Sequence, residues 1–311
     1  MAYVAHDPIE DLVTLRDRAR VEVGKVVVGH DDAVDLLLVA ALAHGHVLIE
    51  GPPGSAKTLL ARSMAHVLGA QFKRIQFTPD LSPDEVTGYN VMKGGENVFR
   101  RGVVFTNVLL ADEINRTPPR TQAALLEAMQ ERTVTVDGRT HQLPDPFLVI
   151  ATQNPYEHEG IFPLPESQLD RFLFKIDLDY ADPESERIML QLPHTGVTPD
   201  MLGEIRALLG VVGIERVRGM LDLTQVSDEV AGYVVRVVRH TRENPTLELG
   251  ASSRAAIHLL SASKAHARLD GRDYVSVEDV RAMAPHVLTH RLIARGNNGA
   301  SAQAVRDALR A

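Results

Sequence analysis

The stretch HVLIEGPPGSAKTLLARSMA, residues 46–65, restricts this chain more than any other. A short apolar run stops at Gly51-Pro52-Pro53-Gly54, and a helical pattern begins almost at once. Glycines at such a junction permit tight backbone turns, so that successive amide N–H groups converge on an anion at the helix N-terminus. Lys57 is then placed to reach the outer phosphates of a nucleotide, and the Thr58 hydroxyl to ligate Mg²⁺. Ser55 and Leu59 complete the set of candidate contacts around this loop. The phosphate-loop pattern G-x-x-x-x-G-K-[ST] expects glycine where this chain has Ala56. That position opens the helix, so alanine is expected to be tolerated there. The plainer alternative is a glycine-rich helix entry carrying a surface lysine.

The surrounding pattern supplies the order of elements that a phosphate loop needs. Residues 30–44 repeat at helical spacing with Asp31 and Asp32 in the first turn, and 46–50 reads as a buried strand. A helix is expected over 58–69, closed by Gly69, with strands over 72–78 and 107–114. RTQAALLEAMQER (120–132) reads as a helix, and an Asp-Gly pair within 133–143 signals a hairpin. Further strands are expected over 146–154 and 171–178. Alternating strands and helices imply a parallel sheet covered on both faces.

Beyond about residue 180 the strand signal ends. Three amphipathic helices follow, beginning near Ser227, Ser253 and Ser276. SVED (276–279) fits a capping box. Residues 194–220 are less regular and remain unassigned. The expected fold class is therefore α/β, a phosphate-loop parallel sheet with flanking helices followed by an all-helical domain. The boundary is placed so that residues 1–184 form the first domain and 185–311 the second.

A phosphate site of this kind needs an acidic group at the tip of a neighbouring strand. VLLADEINR supplies Asp112, a candidate magnesium ligand with Thr58, and Glu113, a candidate general base for the attacking water. IATQNP sets Asn154 at the tip of another strand, where it would meet a γ-phosphate or the water. An asparagine before proline is also an ordinary turn residue. Thr152 and Gln153 are weaker candidates beside it.

Composition narrows the remaining classes. The absence of cysteine excludes disulfides, thiolate catalysis and Cys-ligated zinc or iron–sulfur centres. Net charge of −8 argues against a nucleic-acid binder. Acidic residues near the N-terminus stand where a leader peptide would carry its apolar core, and no run reaches membrane-spanning length, so a cytoplasmic protein is expected. His286 and His290 lie at i and i+4 without a completing acidic residue and are read as ordinary helical histidines. Residues 156–160 are read as a solvated loop, and the basic residues around Arg236 and His240 as a solvated helix face.

VVGHDDAVDLLLVAALAHGHVLIEGPPGSAKT, LLADEINRTPPRTQAALLEAMQERTVTVDG, FLVIATQNPYEHEGIFPLPESQLDRF and LGASSRA together resemble the MoxR family of AAA+ ATPases, from about residue 22 to 295. The resemblance implies ATP and Mg²⁺ as ligands, a ring of subunits, commonly six, and nucleotide held between neighbours. It makes Arg171 of LDRF an arginine finger reaching the adjacent site, and Arg254 of GASSRA the sensor arginine of a helical lid. Ser253 stands where the family often has proline. Whether Arg254 serves its own subunit or the next is left open by the sequence. Arg116 and Arg120 are further candidates for the interface. Val27, Val28 and Gly29 match the segment that covers adenine, with a simple turn as the alternative. Residues 79–102 correspond to the family's helix-2 insert and 133–143 to its pre-sensor hairpin, both candidate client-contacting loops.

The function expected from the resemblance is ATP-driven remodelling or maturation of client protein complexes. A von Willebrand factor A domain partner is implied, acting in trans because the two domains use the whole chain. The rivals are a nucleic-acid-acting AAA+ motor and a nucleotide-dependent scaffold that scarcely hydrolyses. The ADEINRTPP run favours MoxR over the related magnesium-chelatase subunit.

Overall fold

A computed structural model describes residues 8–156, 160–195, 198–296 and 299–310. Part of the 156–160 loop and the first seven residues lie outside this set. Helices α1 (Pro8–Gly24) and α2 (Asp31–Leu42) precede β1 (Val47–Glu50) and α3 (Lys57–Val67). Strand β2 (Phe72–Gln76) leads to α4 (Pro83–Thr87) and a hairpin of β3 (Gly88–Lys93) and β4 (Glu96–Arg101). Next come β5 (Val108–Asp112), α5 (Pro119–Glu131), the hairpin of β6 (Thr133–Val136) and β7 (Arg139–Gln142), and β8 (Leu148–Gln153). The short α6 (Glu166–Leu169), β9 (Phe174–Asp177) and α7 (Pro183–Met189) follow. The remaining helices are α8 (Gly210–Asp222), α9 (Asp228–Glu243), α10 (Ser253–Leu269), α11 (Val277–Leu288) and α12 (Ala300–Ala308).

Strands β2, β5, β8, β1 and β9 form one parallel sheet in that order. Alternation along each strand divides the sheet between two cores. Val47, Ile49, Val108, Leu110, Leu148, Ile150, Phe174 and Ile176 face a cluster that continues through α1, α2 and α3 into the C-terminal helices. Leu48, Leu109, Ala111, Val149 and Ala151 face the other way, against α5 and the fully buried Phe77, Phe147 and Phe172. Burial on both faces explains why these strands read as continuous apolar runs. Each large side chain so buried contributes on the order of 1.5–3 kcal/mol.

The C-terminal helices pack against the α/β part through α1, α2 and β9. Ion pairing reinforces that seam, with Arg16 Nη1 2.8 Å from Asp270 Oδ1. The expected capping box forms: Ser276 Oγ accepts from Asp279 N, and Asp279 Oδ2 accepts from Ser276 N at 2.8 Å.

Several features were not assigned from the sequence, among them α1, α7 and α12. Helix α8 occupies part of the stretch left irregular, the 79–102 insert contains the β3–β4 hairpin, and a small antiparallel ladder joins 247–249 to 293–294 among the helices. The last corrects the expectation that strands end near residue 180. Two or three residues of ladder carry too little periodicity to be read from sequence.

Candidate active site

The carboxyl ends of β1, β5 and β8 meet at one edge of the sheet, where open parallel sheets bind ligands. Gly51 ends β1 in a space that admits no side chain, because a Cβ there would fall 2.1 Å from the Leu178 carbonyl oxygen. Gly54 takes φ +84°, and Ala56, capping α3, takes φ +59°. This corrects the expectation that residue 56 is an ordinary helix-opening position. It is left-handed, a conformation that favours glycine and costs alanine roughly 1–2 kcal/mol. Turned in this way, the loop presents its amides at the start of α3, whose first turn holds no acidic residue.

Lys57 lies along the inside of the loop. Its Nζ donates to the carbonyl oxygens of Gly51 at 2.8 Å and Pro52 at 2.6 Å, and to Ser55 Oγ at 3.3 Å. Partial burial pushes the ammonium pKa down, and the Asp112 and Glu113 carboxylates oppose that shift. Ser55 Oγ in turn donates to the Pro52 carbonyl at 2.9 Å.

Asp112 is buried at the end of β5. Thr152 Oγ1 donates to its Oδ1 at 2.6 Å, and Arg74 donates to Oδ2 through Nε at 3.0 Å and Nη2 at 2.7 Å. Thr58 Oγ1 stands 3.5 Å from the same Oδ2. Glu113 follows with φ +56°, a left-handed backbone held by its N–H donating to Thr152 Oγ1 at 2.9 Å. Gln76 Nε2 donates to Glu113 Oε2 at 2.5 Å, and Arg116 Nε lies 3.0 Å from that oxygen. Asn154 is buried, and its Oδ1 accepts from the Tyr156 N–H at 3.1 Å, so it does form the turn considered for it.

A cleft of about 490 Å³ opens over these groups. Pro53, Gly54, Ser55, Ala56, Lys57, Thr58 and Leu59 line one side, and Asp112, Glu113, Gln153 and Asn154 the other. Val26, Met189 and Leu192 add apolar side chains to the lining, and Arg62 adds a cation. Hard oxygen donors at Thr58 and Asp112, a cation at Lys57 and an amide-lined loop suit a magnesium-bound triphosphate.

Val28 and Gly29 are placed elsewhere. They line a separate, larger groove beside β9 and α11, with His286 and His290, while Val26 lines the cleft itself. His290 Nε2 meets the Phe172 carbonyl at 3.3 Å and His286 packs edge-on to Phe174; burial pushes both pKa values down. Arg171 and Arg254 do not line the cleft of their own chain. Arg171 Nη1 donates to the Leu126 carbonyl at 2.8 Å rather than to Asp170 or Glu166. Arg254 Nη1 lies 3.8 Å from Asp170 Oδ2.

Sheet order, phosphate loop and strand-tip carboxylates together define the chain as an AAA+ P-loop ATPase fold. The comparisons agree. A family model described as ATPase family associated with various cellular activities (AAA) matches residues 46–174, and an AAA lid domain model matches 239–309. Chaperone MoxR1 of Mycobacterium tuberculosis is 46% identical over 288 residues, covering 89% of this chain and 75% of that protein. Protein MoxR of Methylorubrum extorquens is 33% identical, covering 87% and 85%. A crystal structure titled as a "putative ATPase" from Cytophaga hutchinsonii superimposes with TM-score 0.87 at 38% identity, over 97% of this chain and 96% of that one. The chain belongs to the MoxR family of AAA+ ATPases. Among the described residues no helix is long and apolar enough to cross a membrane.

Proposed function

We propose that this chain hydrolyses ATP at sites shared between neighbouring subunits of a ring, and uses the cycle to remodel client protein complexes. The observation that carries the reading is the convergence of Lys57, Thr58, Asp112, Glu113 and Asn154 on one cleft, with Arg171 and Arg254 outside it. The first five residues act within their own subunit. The loop amides and Lys57 would hold the phosphates, while Thr58 and Asp112 would hold Mg²⁺, which would offset phosphate charge. Glu113, oriented by Gln76 and Thr152, takes the proton of the attacking water, and Asn154 orients that water or the γ-phosphate. Val26, Met189 and Leu192 cover the base.

The two arginines act in trans. Both flank Asp170, away from the cleft of their own chain, so each serves the adjacent subunit's phosphates. Residues 1–184 carry the phosphate and magnesium contacts, and 185–311 add Met189 and Leu192 over the base and form the lid that brings Arg254 to the seam. The two hairpins transmit the motion. Phe99 of β4 stacks on His141 of β7 at 3.8 Å and Asn90 donates to Asp137 at 2.7 Å, so the hairpins meet as one body that exposes Met92. A von Willebrand factor A domain protein in trans would connect that body to its client.

Turnover tests this directly. Lys57→Ala should lose nucleotide binding, and Glu113→Gln should bind without hydrolysing. Lys57→Ala and Arg171→Ala, each inactive alone, should recover activity when mixed, because one supplies the cleft and the other the arginine. Assembled mixtures as inactive as their components would refute the shared site.

A further inference from the structure

Asp170 lies between the two arginines assigned to the seam. It directly precedes Arg171, and its carboxylate is 3.8 Å from Arg254 Nη1. A carboxylate in that position is a competitor: left unbalanced, it would draw either guanidinium away from a phosphate. Its charge is met from another direction. Arg291, whose side chain is only 1% exposed, places Nε 2.9 Å from Asp170 Oδ1. Ser252 Oγ donates to the same carboxylate, 3.0 Å from Oδ1 and 3.1 Å from Oδ2, while capping α10 by accepting from Ala255 N at 3.1 Å.

Arg291 is fixed in this role. Its remaining N–H groups donate to the carbonyl oxygens of Val287, Asp170, Leu173 and Phe172 and to His258 Nδ1. His258 is held neutral, its pKa lowered to about 3 by burial and by Arg291, so it adds no cation to the contest. Burial lowers the Arg291 pKa only to about 10, which leaves it charged at neutral pH. Arg171 meanwhile turns to the Leu126 carbonyl, a neutral partner that a phosphate displaces more readily than a carboxylate.

We propose that Arg291 is a positioning residue for ATP hydrolysis: by engaging Asp170 more closely than Arg254 does, it keeps that carboxylate's hold on Arg254 weak and on Arg171 absent, and so lets both turn to the neighbouring subunit's nucleotide. The proposal rests on the shared-site reading above. A purely structural rivet between β9 and the C-terminal helices is the competing explanation of the same contacts; it predicts that turnover and melting temperature fall and recover together, whereas the proposal predicts a kcat loss and rescue in chains that melt as the parent does.

The experiment compares Arg291→Gln, Asp170→Asn and the double variant with the parent chain, using kcat and KM for ATP and thermal melting by circular dichroism. Arg291→Gln should lower kcat about tenfold or more while KM moves less than about threefold, because the cleft of each subunit is untouched. The double variant should return kcat to within about threefold of the parent, since no carboxylate remains to capture the arginines. A double variant no faster than Arg291→Gln, though folded, would overturn the proposal. If Arg291→Gln does not fold, Arg291→Lys, which keeps the charge, is compared with the double variant at matched melting temperature. A kcat near the parent's supports the proposal, and one as low as that of Arg254→Ala overturns it. Arg171→Ala and Arg254→Ala run alongside; if both keep parental turnover, the shared-site reading itself has failed, a result separate from an absent rescue.

Discussion

Thr152 offers the sharpest test of how the two strand-tip carboxylates, Asp112 and Glu113, are held. Its side chain is fully buried, and one hydroxyl does two things: it donates to Asp112 Oδ1 at 2.6 Å and accepts from the Glu113 N–H at 2.9 Å. Thr152→Val keeps the shape and removes both bonds. The Glu113 N–H then loses its partner, at about 1–3 kcal/mol, and the bond to an ionised carboxylate is worth about 1.5–3 kcal/mol more. Incomplete relaxation and water entry reduce the sum, so a net loss near 3 kcal/mol is expected. Thr152→Ser keeps the hydroxyl and loses one methyl, at about 1 kcal/mol. Urea unfolding of the two variants should therefore separate them by about 2 kcal/mol. Turnover should separate further, because this hydroxyl holds the N–H of the left-handed Glu113 backbone, φ +56°. Thr152→Val should lose at least about tenfold in kcat with ATP binding retained, and Thr152→Ser should lose little. Equal stability and equal turnover in the two variants would refute the argument that this hydroxyl sets the geometry.

Two further outcomes follow from the same structure. His46 is buried with Nδ1 accepting from Val149 N at 3.0 Å and Nε2 facing the Met129 carbonyl at 3.1 Å, an arrangement that suits the neutral ring; burial lowers its pKa to about 4. The unfolded chain takes up this proton near pH 6.5 and the folded chain does not, so stability is full above that pH and falls as pH drops toward 4, by roughly 1.4 kcal/mol per pH unit. Denaturant unfolding between pH 7 and 5 should show that slope reduced by about this amount in His46→Gln, and an unchanged slope would count against it. In the cleft, Leu192→Ser should weaken nucleotide binding about fivefold to tenfold by removing apolar cover from the base, whereas Val28→Ser should leave it unchanged; fluorescent-nucleotide titration with the reverse order would restore the base to the larger groove.

Much of this site was legible because its signals are local. The phosphate loop, the DE pair at the end of β5 and Asn154 after β8 each announce themselves within a few residues, and their convergence follows from parallel strands ending at one edge. Leu12, Leu15, Ala19 and Val23 give α1 an apolar stripe at helical spacing, and the Gly94-Gly95 pair, both at positive φ, is a local hairpin signal for β3–β4. Other parts depend on register. Arg74 and Gln76 sit on a half-buried strand and look like solvated positions until β2 is known to pair with β5, with Gln76 opposite Asp112. Helix α8 was masked by Gly210, Gly213 and Gly219, and its stability comes from the packing of Ile214, Val217 and Leu221 rather than from propensity.

The left-handed residues at positions 56 and 113 show why propensity misleads most at the chemistry. Both are non-glycine, with φ +59° and +56°, and they stand on the two sides of the same cleft. Each costs on the order of 1–2 kcal/mol that nothing local repays, so each persists only because neighbours over-determine it. At Glu113 the neighbour is Thr152, which ties the strained backbone to the carboxylate of Asp112. At Ala56 the following residue, Lys57, is pinned by the Gly51 and Pro52 carbonyl oxygens, which fixes the path of the chain through the turn. Strain in this position has a use under the proposed function: Ala56 and Glu113 line one cleft, so groups proposed to meet the γ-phosphate would be oriented before nucleotide arrives.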